Sequence, residues 1–265
     1  MSCNKQKVSK IYCNSLRISS MSKTANKPFI LLSGATSGIG RSIALALSEE
    51  YSLIVLARDT NKVHSLQNEL NHNKKRDFLP LLCDLSKIDS LSNILNQCGE
   101  NTIQAFIHCA GLRYVGYAKT FNYAEMLEVS NVNLFACMEI MKYLLKKQKH
   151  SLQNCVFLSS AFSQKGEVGN SFYAATKGGL DSYMRSLALE LAPKIRVNSI
   201  QCGGIFDTNM TNTLFTPAQK EKILLSYPLG EGNKEDIVHA VRFLLSKQAR
   251  WITGVGLQVD GGLHI

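Results

Sequence analysis

Tyr173 and Lys177 stand four residues apart in Tyr173-Ala174-Ala175-Thr176-Lys177. On a helix that spacing puts both side chains on one face. A free tyrosine titrates near ~10, so its phenol is a poor proton carrier at neutral pH. A neighbouring ammonium favours phenolate and lowers that value. Tyr173 is then a candidate general acid for reducing a carbonyl, and general base for oxidising an alcohol. Such pairs also occur on many exposed helices, so this one needs a companion. Ser160 supplies it, thirteen residues before Tyr173 and at the carboxyl end of the apolar run Asn154–Ser159. Its hydroxyl could hold and polarise a substrate oxygen. Ser159 is the competing neighbour, and spacing favours Ser160.

A second group of residues could bind a dinucleotide. Phe29–Ser33 runs directly into Gly34-Ala35-Thr36-Ser37-Gly38-Ile39-Gly40, and a helical pattern follows. Glycines let a phosphate approach the backbone, and the free N–H groups of a helix start point at it. Arg58 is the first charged residue after the second apolar run and suits a ribose 2′-phosphate. Asp59 competes with it; a carboxylate there would accept from both ribose hydroxyls and select NAD(H), but Asp59-Thr60 also resembles a helix cap. The expected cofactor is NADP(H), with NAD(H) second. Asp84 and Leu85 follow the third run, where Asp84 either contacts adenine or caps the next helix.

These residues need a scaffold that brings distant segments together. Candidate strands are Phe29–Ser33, Leu53–Ala57, Phe78–Cys83, Ile103–Cys109, Asn154–Ser159, Arg196–Ile200 and Gly256–Val259. Helical patterns lie near Ile39–Glu50, Asn61–Leu70, Ser86–Cys98, Ala124–Lys147, Phe172–Ala192 and Glu235–Leu245. This alternation predicts one α/β domain over 28–265: a Rossmann-type, doubly wound parallel sheet of about seven strands with helices on both faces. Ligands of such a sheet sit at the carboxyl ends of its strands.

Composition narrows the classes. Of 265 residues, 45% are hydrophobic and 19% charged, as in a globular domain. No apolar run approaches the ~20 residues that span a bilayer, so no membrane partner is expected. Eight cysteines without a CxxC pair read as core residues of a reducing compartment, and six histidines without ligand spacing predict no metal site. Much of the net charge of +10 lies in residues 1–27, which carry six Lys or Arg and no acid. That leader reads as disordered, with Met21 as a start, and the location as cytoplasmic. Its composition also fits an organelle-targeting segment. No nucleic-acid motif accompanies the charge.

The chain resembles the short-chain dehydrogenase/reductase family from about Pro28 to Gly262. The resemblance is carried by GATSGIG at 34–40, CDLS at 83–86, HCAG at 108–111, Asn133-Leu134, Ser160, YAATK at 173–177, RVNSI at 196–200 and DGG at 260–262. It implies a tetrad of Asn133, Ser160, Tyr173 and Lys177. In it Tyr173 exchanges the proton and Ser160 steadies the substrate oxygen. Lys177 binds the nicotinamide ribose and acidifies the phenol, and Asn133, rather than Asn131, holds a linking water. It also implies cofactor contacts by Ala110, Gly111, Gly203, Ile205 and Thr208. Ser33, His108, Cys109 and Cys202-Gly203-Gly204 depart from the family pattern, and one residue is inserted before Thr208.

Within that family the chain broadly resembles 3-oxoacyl-[acyl-carrier-protein] reductases, which implies a carbonyl substrate carried on acyl carrier protein or CoA. The segment 205–232, with Met210, Leu214, Phe215, Leu224, Leu225 and Tyr227, is apolar enough to cover an acyl chain. Lys146, Lys147, Lys149, His150 and Lys194 form a candidate docking surface for an acidic carrier. An apolar stripe of Leu180, Tyr183, Met184, Leu187 and Leu191, with the family's habit, points to a homotetramer or homodimer. The alternatives are a reductase of a sugar or secondary-metabolite ketone, and a nucleotide-binding regulatory or structural protein.

Overall fold

The computed structural model describes residues 28–72, 77–212 and 216–265. The leader, and Leu214 and Phe215 of the apolar segment, lie outside them. Seven strands form one sheet: β1 (Phe29–Ser33), β2 (Ser52–Ala57), β3 (Phe78–Leu82), β4 (Ile103–His108), β5 (Asn154–Ser160), β6 (Arg196–Cys202) and β7 (Gly256–Val259). Their order is β3-β2-β1-β4-β5-β6-β7, and every pairing is parallel. The helices are α1 (Gly38–Leu47), α2 (Thr60–His72), α3 (Ile88–Leu95), α4 (Tyr123–Ser130), α5 (Ala136–Lys147), α6 (Ser171–Leu191), α7 (Asn209–Asn212), α8 (Pro217–Leu224) and α9 (Lys234–Leu245).

Strand alternation makes two cores. Ile30 and Leu32 pack with Ile43 and Leu47 of α1 and Ile237 and Val241 of α9. Phe29 and Leu31 pack on the other face with Leu91, Ile140, Leu144, Leu180 and Met184. Both faces are covered, so the strands read as continuous apolar runs. The order reverses at β1, flanked by β2 and β4, and that reversal opens a crevice at the carboxyl edge.

Three differences from the sequence expectation bear on function. The helix expected over Ala124–Lys147 is interrupted by a π turn, Asn131–Phe135, between α4 and α5. One extra residue in a turn rotates the next stretch of helix about its axis, and such turns are frequent at functional sites. Asn131 there donates to the carbonyl of Ser86 at 2.9 Å, while Asn133 turns fully inward. Second, the α6 stripe is core. Leu180, Met184 and Leu187 are buried and Tyr183 and Leu191 pack beside them, so this stripe gives no support for assembly. Third, the candidate docking lysines sit at the wrong end. Gln148 accepts from Ile103 N–H, and Gln153 N–H donates to Gln104, which places the chain after α5 at the amino ends of β4 and β5. Arg196 N–H, just past Lys194, likewise donates to Gln153. The crevice opens at the opposite edge.

Gly40 illustrates how tightly α1 is seated. A Cβ on it would lie 2.2 Å from the carbonyl oxygen of Gly34. Gly166, by contrast, has nothing within 4 Å of such an atom. Gly40→Ala is therefore expected to cost about 1–3 kcal/mol or more through forced backbone movement, against within about 0.5 kcal/mol for Gly166→Ala. Urea unfolding of the two variants beside the wild type checks this; equal stabilities would refute it.

Candidate active site

Ser33-Gly34 leaves β1 with Gly34 at φ +70°, where a Cβ would meet Ala110 N at 2.6 Å. The glycine loop thus lies directly on the turn after β4. Every residue expected from the sequence to bind cofactor or act in catalysis lines one cleft here, except Asn133. Its glycine end offers the start of α1, whose open N–H groups and positive dipole end suit a pyrophosphate. The cradle a Cβ would fill, and the free helix start, fit a dinucleotide.

At the β2 end of the cleft the competing residues separate. Asp59 accepts through one oxygen from the N–H groups of Asn61 at 2.9 Å and Lys62 at 3.1 Å, capping α2. Arg58 lines the cleft. Asp84 caps no helix, since the next one starts at Ile88 with Lys87 at its cap position; its carboxylate closes the turn before it, accepting from Ser86 N–H at 2.9 Å and from the Ser86 hydroxyl at 2.8 Å. Burial alone would raise its carboxyl, but these bonds, with Arg58 and Lys87 nearby, hold it below the usual value.

The reacting groups lie at the carboxyl ends of β5 and β6. β5 continues through Ser160, paired with Cys202, one residue beyond the run read from sequence. The Ser160 hydroxyl faces Tyr173 closely enough to lower its phenol, whereas Ser159 points at the carbonyl of Lys177 at 3.4 Å. Geometry thus agrees with spacing in favouring Ser160. Lys177 is buried, donates to the carbonyl of Leu158 at 2.7 Å, and lies 6.0 Å from the Tyr173 ring centre. Burial pulls its ammonium below the ordinary lysine value.

Tyr173 departs from the expectation that Lys177 acidifies it. Burial pushes its phenol up to about 12, opposed first by Arg113 and then by the hydroxyl of Ser160. The Arg113 guanidinium lies 5.6 Å from the ring centre. Without a cofactor in place, Arg113 is the main counter-charge. Sequence reasoning passed over this residue because it sits in a loop, outside any motif or periodic pattern. Its one signal was position, two residues beyond Gly111 on the segment that must border the cleft.

Asn133 is behind the cleft wall, fully buried. Its Oδ1 accepts from Leu112 N–H at 2.7 Å, and its Nδ2 donates to the carbonyl of Leu112 and to Thr176 Oγ1, both at 3.0 Å. The amide therefore positions the loop after β4. His108 supports the same region where the family pattern differs. Its Nδ1 pairs with Ser33 Oγ at 2.8 Å, and its other edge faces the backbone of Val132 and Asn133 without closing a well-directed bond. Asn198, of the RVNSI motif, ties β6 to the approach to β7 by accepting from Val255 N–H and donating to Ile252.

Beyond Cys202 the inserted residue is absorbed without losing the cleft. Ile205 bridges to Gly232, and Thr208 donates to the carbonyl of Ile205 at 3.2 Å. Gly203, Ile205 and Thr208 all remain on the wall. Tyr227 closes this side, buried with Phe206 and Leu263 and accepting from Gly204 N–H at 2.8 Å. Leu225 is exposed. Cys109 and Cys202 also line the cleft, but burial pushes both thiols up, Cys202 to about 12, so they are inert protonated side chains.

Comparison with known proteins accounts for this arrangement. The family model described as Enoyl-(Acyl carrier protein) reductase matches residues 34–264. The 3-oxoacyl-[acyl-carrier-protein] reductase of Bos taurus is 32% identical over 241 residues, covering 88% of this chain and 96% of that protein. The chain belongs to the short-chain dehydrogenase/reductase family. Two solved structures share the fold at lower identity. An actinorhodin polyketide ketoreductase variant with NADPH gives a TM-score of 0.84 at 24% identity, covering 92% of this chain and 99% of that one. A 3-oxoacyl-[acyl-carrier protein] reductase from Brucella melitensis with bound NAD gives 0.81 at 23%, covering 94% and 98%. As an oxidoreductase of this family, the chain has the groups for proton exchange at a carbonyl and its alcohol. Among the described residues no cluster is arranged to hold a metal ion, and no helix is long and apolar enough to cross a membrane.

His108 yields a prediction about acid. Burial, and then the charge of Lys177, pull its imidazole down to about 3, from an unfolded value near ~6.5. Between those values the unfolded chain binds a proton that the folded chain refuses. Stability should therefore fall as pH drops from about 6.5 toward 3. Thermal unfolding from pH 7 to 4 should show a shallower fall for His108→Asn than for the wild type. Parallel curves would refute this.

Proposed function

We propose that this protein is an NADP(H)-dependent reductase of 3-oxoacyl thioesters, carried on acyl carrier protein or CoA, and works as a homotetramer or homodimer. The observation that carries the reaction is the gathering of Ser160, Tyr173 and buried Lys177 on one cleft wall, with Lys177 anchored on the carbonyl of Leu158. When bound, the nicotinamide cofactor supplies or accepts the hydride. Ser160 holds the substrate oxygen, and Tyr173 gives that oxygen its hydroxyl proton in reduction and recovers it in oxidation. Lys177 would hold the nicotinamide ribose, while Arg113 supplies the charge that favours phenolate.

NADP(H) is favoured by Arg58 at the cleft and by the helix cap that occupies Asp59. A guanidinium binds a 2′-phosphate through charge-assisted, often paired bonds. The substrate class follows from the 3-oxoacyl reductases among the relatives and from the aromatic lining around Phe162. For assembly, the α6 stripe is replaced by exposed Leu127, Phe135 and Leu189.

Two experiments test this reading. NADPH is expected to bind at least tenfold tighter than NADH, about 1.4 kcal/mol, and Arg58→Ala should remove most of the difference. Equal affinities in the wild type would return the ribose to Asp59. In turnover, the N-acetylcysteamine thioester of 3-oxobutanoate should be reduced faster than a keto-sugar, a simple ketone or a 2-enoyl thioester. Tyr173→Phe should lower that rate by about 10² to 10⁴ with NADPH binding intact. Ser160→Ala should lower it far more than Ser159→Ala. A wild type that binds NADPH and reduces nothing in the panel would favour a regulatory role.

A further inference from the structure

Arg113 is a cation that lines the cleft beside Ser160, Phe162 and Tyr173. Asn133 grips Leu112 at both its N–H and its carbonyl, so the next residue leaves a fixed point. The Arg113 Nε then donates to Asn170 Oδ1 at 2.8 Å. Asn170 is 2% exposed and stands immediately before α6, where its carbonyl accepts from Ala174 N–H. This aims the guanidinium across the cleft wall, its carbon 5.1 Å from the centre of the Phe162 ring and 5.6 Å from that of Tyr173. Phe162 is itself held by the hydroxyl of Ser160, which accepts its N–H at 3.2 Å.

A guanidinium against aromatic faces still has donors that can reach an oxygen, and this one lines the cleft together with Ser160 and Tyr173. Burial lowers its own affinity for a proton, and an oxygen acceptor brought to a guanidinium favours the charged form through charge-assisted bonds. We propose that Arg113 is a specificity-determining residue whose guanidinium binds a second oxygen on the substrate, close to the reacting carbonyl: a thioester carbonyl or a carboxylate. This deepens the reading of the cleft as a 3-oxoacyl reductase site and rests on it for the reaction. It explains how a simple ketone and a 3-oxoacyl group would be told apart by a wall otherwise formed of apolar rings.

The test measures selectivity with NADPH in Arg113→Gln and Arg113→Lys. The substrates are the N-acetylcysteamine thioester of 3-oxobutanoate, 3-oxobutanoate itself, and cyclohexanone, which lacks a second oxygen. The ratio of kcat/KM for the preferred oxo substrate to that for cyclohexanone should fall at least tenfold in Arg113→Gln. Arg113→Lys keeps the charge without the paired donors and should fall less. The wild-type preference between thioester and free acid identifies which oxygen is held. NADPH affinity within twofold of wild type reports an intact fold. A binding arm needs no turnover: 3-hydroxybutanoate should bind the complex with oxidised NADP more tightly than butan-2-ol does, and Arg113→Gln should remove the difference. Uniform losses on all three substrates, or an unchanged ratio, overturn the proposal. Selection by Arg113 in the binding arm, with no thioester reduced, would overturn the 3-oxoacyl reading and leave this inference standing.

Discussion

The amide of Asn133 is the joint on which the site depends. It holds Leu112 at both backbone groups and Thr176 at its hydroxyl, and Thr176 donates in turn to the carbonyl of Tyr173 at 2.8 Å. Three segments far apart in the chain are thereby tied: the loop after β4, the π turn and helix α6. Asn133 and Thr176 are buried, so leaving the bond between them unmade would strand a buried polar group at a cost of about 1–3 kcal/mol. That penalty makes the arrangement specific. The amide sits inside the π turn Asn131–Phe135, so the irregular stretch of helix is the one that holds the joint.

The same joint governs charge. Lys177 and Arg113 both reach the neighbourhood of Tyr173 by different anchors: one on the carbonyl of Leu158, the other on Asn170. Burial alone would leave the phenol too weak an acid to exchange a proton near neutrality. The guanidinium of Arg113 and the hydroxyl of Ser160 push the other way. A buried charge is costly unless compensated, and here the compensation comes from backbone oxygen, aromatic faces and the ligands the cleft receives. His108, neutral because it is dry, fills the region beneath without adding a third positive charge.

The cofactor end follows a different logic, in which the backbone does most of the work. The close contact of Gly34 with the turn after β4, and of Gly40 with Gly34, leaves room there for no side-chain atoms. Two adjacent residues after β2 take different places here. Asp59 is drawn to the open N–H groups of α2, a task a carboxylate performs well. The cation beside it is then what the cleft presents.

Much of this was legible in residue type and spacing. The continuous apolar strands, the glycine loop after β1, Ser160 thirteen residues before Tyr173, and Lys177 four after it are local patterns. Period and composition determine them, and the fold only assembles them. The sequence also named Asn133 and Arg58, through family resemblance and position. It could not show that the lysines after α5 lie at the far edge of the sheet, because strand direction is a property of the pairing. Nor could it show that the α6 stripe is core, since an apolar face looks the same whether it meets a sheet or another subunit. The π turn and the approach of Arg113 to Tyr173 depend on hydrogen bonds between segments from about 20 to 60 residues apart, and no local pattern encodes them. Sequence determined which groups are available, and tertiary structure decided which of them touch, because in a buried site the partners of a polar side chain are set by packing.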